Sequence, residues 1–261
     1  MIFDILINNI LPLYGLIFLG YIVAKCTELD VKPIATLMLY AILPIVMFGA
    51  TATMAFSIEY IIPPLLIASI SILASVLAYY GAGYVWGMQD TRRNVLALMS
   101  VSSNATYFGV PIALALAGKN SLGIYMMMVL PLFILDCTLA YYYGTRGQFT
   151  IKESLRKVAK LPIIYSALAG ILVNSFGIEL PQLMLDYWER FTGTIIILGM
   201  MMIGVALAQM DKLRFDKHFF GAVVIVRYII WPLLGIACVL LDRHFLQMLS
   251  VTVHTLSLIH I

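Results

Sequence analysis

The feature that most constrains this chain is a succession of apolar runs, each about as long as a bilayer crossing and separated from the next by a short cluster of charges. A helix rising 1.5 Å per residue needs about 20 apolar residues to cross a hydrocarbon core of about 30 Å. Runs of that kind fall near 4–24, 33–53, 60–84, 94–117, 121–143, 161–177, 191–208 and 218–240, and a ninth begins near 244. Composition agrees: 62% of residues are hydrophobic and 11% charged, with a mean hydropathy of +1.00. An ordinary soluble domain has about 45–50% apolar and about 25% charged residues. The expected class is an all-α integral membrane protein. The first run, opening with Asp4, lacks the basic flank of a cleaved signal peptide and reads as the first span.

The basic residues orient these spans. With the N-terminus outside, the inner connections hold Lys25, Lys32, Arg92, Arg93, Arg146, Lys152, Arg156, Lys157, Lys160, Lys212, Arg214 and Lys217, and the outer ones hold Lys119, Arg190 and Arg243. Cytoplasmic loops carry the Lys/Arg excess, so the expected topology is N-terminus outside. The expected location is the bacterial cytoplasmic (inner) membrane. The net charge of +3 reports loop orientation, and no nucleic-acid partner is expected. Cys26, Cys137 and Cys238 are scattered, so neither a disulfide framework nor a metal site is indicated. No cofactor is expected.

The chain also repeats. "LPLYGLIFLGYI" in the first span, with Pro12 and Gly20, matches "LPIIYSALAGIL" in the sixth, with Pro162 and Gly170, at an offset of 150 residues. The same offset carries spans two, three and four to the positions of seven, eight and nine. A repeat of five crossings inverts its second copy, an arrangement found in secondary transporters. The expected organisation is a first five-helix repeat at 1–143, a basic cytoplasmic linker at 144–160, and a second repeat at 161–261. The offset places Asn104 opposite His254 and Pro111 opposite Ile261. The second copy is therefore expected to stop within span nine of ten, about 30 to 40 residues short at about 20 residues per crossing. The final "LSLIHI" is expected to be non-native.

The fourth span contains "SNATYFGVPIALALAG", residues 103–118, and is expected to be broken. Pro111 has no N–H and its ring clashes with the preceding turn, while Gly109 lets the backbone leave helical geometry. Irregular backbone at membrane depth is tolerated only where it lines a cavity or is buried in protein. Ser103, Asn104 and Thr106 place hydrogen-bonding side chains beside that backbone, and the N-terminus of the second half-helix carries a partial positive charge suited to an anion. The competing reading is a plain kink, since Pro and Gly are common in membrane helices.

These stretches resemble the auxin efflux carrier family of bacterial and plant transporters. The resemblance covers most of the chain: the opening, with Leu43 and Pro44; "NATYFGVP", with an Asn seven residues before a Pro; "LPIIYSALAGIL" through "LPQLMLD" to "LGMMMIGVALA"; and "VRYIIWPLLG". It implies ten helices in two inverted five-helix repeats, crossovers in spans four and nine, and transport of a small organic anion such as auxin, malate or malonate by alternating access. Asn104 and Pro111 are then the substrate-site Asn and the crossover Pro, with Ser103, Thr106, Gly109, Leu43 and Pro44 about them. The span-nine crossover Pro has no counterpart here. A sodium-coupled organic-anion symporter of the related bile-acid-transporter-like fold, and a channel, are the alternatives.

Two ionisable residues fall within spans, Asp136 about 10 Å and Arg227 about 14 Å from the inner ends of their helices at about 1.5 Å per residue. Buried charge in a membrane marks an ion path, a substrate site or a mutual pair, and three readings stay open: a structural pair, coupling or anion attraction, and independent snorkelling. Asp136 is the single acid well inside a span, and the sequence lacks HExxH or paired intramembrane aspartates. An enzyme is not expected. The expected partners are the anion, the lipid bilayer, a proton or sodium as coupling ion, and a second copy of the chain in a homodimer.

Overall fold

A computed structural model describes residues 6–27, 29–54, 62–101, 104–118, 121–140, 143, 156, 159–210 and 216–245. Among them there are nine helices and no strand: α1 Leu11–Cys26, α2 Val31–Thr53, α3 Ile62–Trp86, α4 Arg92–Val101, α5 Gly109–Ala117, α6 Leu122–Leu135, α7 Pro162–Ser175, α8 Gln182–Ala208, and α9, built of Lys217–Ile225 and Trp231–Phe245. α2, α3, α8, α9 and the stretch Leu122–Leu139 are long and apolar enough to cross a membrane, with hydropathy of 2.0 to 2.2, and α1 and α7 are shorter apolar helices. Large apolar side chains such as Leu11, Tyr14 and Phe18 of α1 and Tyr165, Leu168 and Leu172 of α7 point outward. Apolar faces of that extent suit hydrocarbon as solvent. The fold is that of an all-α membrane protein. Most of the 144–160 linker, and the ninth span beyond Phe245, lie outside the described residues.

α8 starts at Gln182, nine residues before the expected span, because the charged residues that bounded the apolar run do not stop a helix. Its first turns follow Pro181 and carry Asp186, Glu189 and Arg190, and Gln182 Nε2 donates to Asp186 Oδ1 at 2.9 Å, four residues on. Single π turns interrupt three of the apolar segments and precede α1: Leu6–Ile10, Met38–Ile42, Asp136–Ala140 and Val226–Ile230.

The chain folds into two compact units, each taking segments from both sides of the linker. The first contains residues 1–56, 104–126 and 161–213. Here α1 packs along α8 and α2 along α7, at points where a glycine admits a neighbouring backbone. A Cβ on Gly20 would meet the backbone of Met201, and one on Gly170 would meet Thr51 Oγ1 and the Phe48 carbonyl. Gly170 and Met201 stand 150 residues after Gly20 and Thr51, so the two crossings involve equivalent positions of the proposed repeats. Small residues that let backbones approach are the usual means of helix association in lipid, where no hydrophobic force acts between helices. Side-chain donors finish the packing. Thr51 Oγ1 donates to Met47 O at 2.9 Å and lies 3.3 Å from Ala167 O, and Trp188 Nε1 donates to Val46 O at 3.1 Å. Asn174 Nδ2 donates to Ala52 O and Met54 O at 2.8 and 2.7 Å, serving carbonyls at the end of α2 that have no partner within the helix.

The second unit contains 57–103, 127–160 and 214–261. Ala78, Ala82, Leu96 and Val226 form a buried cluster covered by Trp86, Phe219, Ala222, Val223 and Ile230. Trp231 Nε1 donates to Ser100 O at 2.8 Å, tying α9 to the last turn of α4. At the other end of these helices Asp90 and Asp216 cap α4 and α9, and both reach Arg92, at 2.7 and 3.3 Å.

Candidate functional site

The fourth span is interrupted. α4 ends at Val101 and α5 begins at Gly109, with a non-helical residue at Asn104 and a turn over 105–108 between them. The break also divides the units, since residues up to Ser103 belong to the second and Asn104–Met126 to the first. Ser103 itself lies outside the described residues. Asn104 is exposed, Thr106, Tyr107, Phe108 and Pro111 are half-buried, and Ala105, Gly109 and Val110 are buried.

The backbone here is better satisfied than the sequence implies. Phe108 N–H donates to Asn104 O at 3.2 Å and Val110 N–H to Thr106 O at 3.3 Å. The Ala105 carbonyl accepts from the Tyr125 hydroxyl at 2.6 Å, a buried bond from α6. Pro111 is the third residue of α5, within the first turn where proline is tolerated, so the interruption lies upstream of it. No side chain caps the start of α5, and Gly118, at φ 74°, closes its end by donating to Leu114 O at 3.1 Å. Two aromatic contacts hold the turn within the first unit. Phe108 meets Tyr14 edge-on at 5.8 Å, and the Tyr107 ring lies where a Cβ on residue 199 of α8 would stand.

Gly109 departs from expectation. Positive φ among the described glycines occurs at Gly87, Gly118 and Gly177, and Gly109 is the helical first residue of α5. What it provides is room, because a Cβ there would collide with Tyr125 Oη. Leu43 and Pro44 are buried in α2, directly after the π turn Met38–Ile42. Their visible effect is on that helix: Leu43 N–H donates to Met38 O, five residues back.

Asp136 and Arg227 belong to the second unit, and each lies in a π turn, Asp136 opening Asp136–Ala140 and Arg227 within Val226–Ile230. Asp136 and the half-buried Arg227 lie within electrostatic reach of one another. The Val226–Ile230 turn precedes Pro232. No proline stands at the corresponding place after Asp136, where residue 142 is Tyr. Single π turns recur at functional sites. Tyr125 is the residue that sequence reading missed. The one available signal was a hydroxyl in an apolar span, since a buried Tyr O–H usually finds a partner.

With this geometry in place, the chain can be compared with known proteins. It is similar to an uncharacterized transporter of Methanocaldococcus jannaschii, 25% identical over 236 residues, which cover 87% of this chain and 75% of that protein. No family model matches. The chain is transporter-like. The similarity runs through the broken span and both units, and with the long apolar helices it makes this an integral membrane protein.

Proposed function

We propose that this transporter-like protein is a secondary carrier of a small organic anion, a carboxylate of the auxin, malate or malonate kind, of the auxin efflux carrier type and working by alternating access. The observation that carries the reading is the interrupted fourth span, which leaves the Asn104 side-chain amide exposed at the break. An amide donor suits a carboxylate. Thr106 and Pro111 flank that position, and Ser103 precedes it in the chain. Leu43 and Pro44 belong to the site only by resemblance to the family.

The paired close approaches at Gly20–Met201 and Gly170–Thr51 support an inverted repeat, the architecture on which alternating access depends. Asp136 and Arg227 are the candidates for coupling. A carboxylate that exchanges a proton while its guanidinium neighbour stays charged would link anion movement to a proton gradient, and sodium is the other candidate coupling ion. The N-terminus is assigned to the outside of a bacterial inner membrane by the distribution of basic residues.

The test is a thermal-shift titration of the full-length protein with malate, malonate and auxin, for wild type and Asn104→Ala. A ligand at 100 times its Kd stabilises the native state by about 2.7 kcal/mol, and Asn104→Ala is expected to lose that shift while unfolding at the wild-type temperature without ligand. An unchanged shift in Asn104→Ala would place the binding site elsewhere. Uptake that saturates with anion concentration separates a carrier from a channel.

A further inference from the structure

We propose that Tyr125 is a positioning residue for the anion site in the fourth span: its hydroxyl holds the Ala105 carbonyl, and residue 109 is glycine so that this hydroxyl can reach it. The inference rests on the anion-site reading and adds a residue from a different helix.

Ala105 stands between Asn104 and Thr106, the two polar side chains assigned to the anion. Its neighbours' carbonyls, those of Asn104 and Thr106, accept backbone N–H groups in the helical manner. Its own carbonyl takes the phenol of Tyr125 at 2.6 Å. Tyr125 is 1% exposed and Val110 and Met126 beside the site are fully buried, so no water would replace the phenol as donor. A carbonyl stranded in such surroundings is expensive, and the bond therefore fixes the peptide plane from which Asn104 and Thr106 are displayed.

The glycine follows from the same geometry. The Tyr125 oxygen occupies the place of a Cβ on residue 109, and the ring carbon bearing that oxygen lies 2.9 Å from it. Any larger residue at 109 displaces the hydroxyl from Ala105. Gly109 and Tyr125, sixteen residues apart in sequence, are thus one device.

The experiment compares wild type, Tyr125→Phe, Gly109→Ala and the double variant, each as full chain in lipid nanodiscs. Three readouts are taken: amide hydrogen exchange, thermal unfolding and malonate affinity. Tyr125→Phe is expected to speed exchange across residues 104–110 by about tenfold or more while α7 and α8 exchange as in wild type, and to weaken malonate binding by about tenfold, the equivalent of one lost hydrogen bond. Gly109→Ala is expected to lower the unfolding temperature, and adding Tyr125→Phe to restore part of that loss by removing the colliding oxygen. Unchanged exchange at 104–110 in Tyr125→Phe overturns the proposal. So does a Gly109→Ala defect equally severe with Phe at 125, which would mean that glycine serves backbone freedom. If instead Asn104→Ala binds malonate as wild type does, the anion-site reading falls, while exchange and rescue still decide whether Tyr125 holds the turn.

Discussion

Three prolines act alike on the helices that carry them. Pro12, Pro44 and Pro232 each stand six residues after the first residue of a π turn, so the residue four before each proline lies at the centre of that turn. A proline cannot donate to that carbonyl and its ring presses against it. The helix widens by one residue, and Leu43 and Trp231, each directly before a proline, donate five residues back, to Met38 and Val226. Pro111 differs because it lies in the first turn of its helix. Pro111→Ala is therefore expected to cost about 0.4–1 kcal/mol through greater freedom of the unfolded chain and to leave α4 and α5 separate, as amide exchange across 104–110 would reveal. Protection extending through the turn would show that the proline itself breaks the helix. Asn174→Ala removes two donors from the end of α2 and should cost about 1 kcal/mol per bond, measured by thermal unfolding. A cost near zero would mean that solvent already serves those carbonyls.

At the scale of elements, the N-terminal ends of α4 and α9 are clamped by charge. The Arg92 side chain holds the Asp90 carboxyl below the usual carboxylate range, and the Phe219 N–H, more than Arg92, does the same for Asp216. Arg92 also lies over the Trp86 ring at 4.9 Å, and Trp86 contacts Phe219. Because these carboxyl groups are lowered on folding, their contribution is complete above the unfolded-state value of about 3.9. It is lost as pH falls through the lower folded value. Arg92→Ala should therefore lower the unfolding temperature at pH 7, with the difference from wild type shrinking below about pH 4. A difference independent of pH would assign the role of Arg92 to packing on Trp86. The groups are partly open to solvent, so high salt should shrink the difference too.

For the whole molecule, the two glycine crossings and the topology are the decisive features. Gly20→Ala and Gly170→Ala each drive a Cβ into a facing helix and should destabilise by similar amounts, about 1–3 kcal/mol for overpacking. Gly15→Ala, where a Cβ meets open space, should instead stabilise α1 by about 0.5–1 kcal/mol. Unequal losses at Gly20 and Gly170 would argue against equivalent packing in the two proposed repeats. Orientation is tested in a background lacking native cysteines. Ile2→Cys and Lys119→Cys should react with an impermeant thiol reagent from outside, and Gln148→Cys should not. Reversed labelling would overturn the orientation.

The sequence by itself determined the membrane class, the approximate positions of the apolar helices apart from the start of α8, and the presence of a break in the fourth, because hydrocarbon permits so few arrangements of backbone. It placed Asn104 at the break correctly and misread Gly109, whose reason for being glycine is an oxygen from another helix. Periodicity reports which residues share one helix, and a contact between residues 109 and 125 leaves no trace in it. The tertiary structure alone decided that α1 lies on α8 and α2 on α7, and that Asp136 lies within electrostatic reach of Arg227. Each depends on close approach between segments up to 180 residues apart, such as Leu29 and Gln209, and is set by the shapes of facing surfaces rather than by local composition.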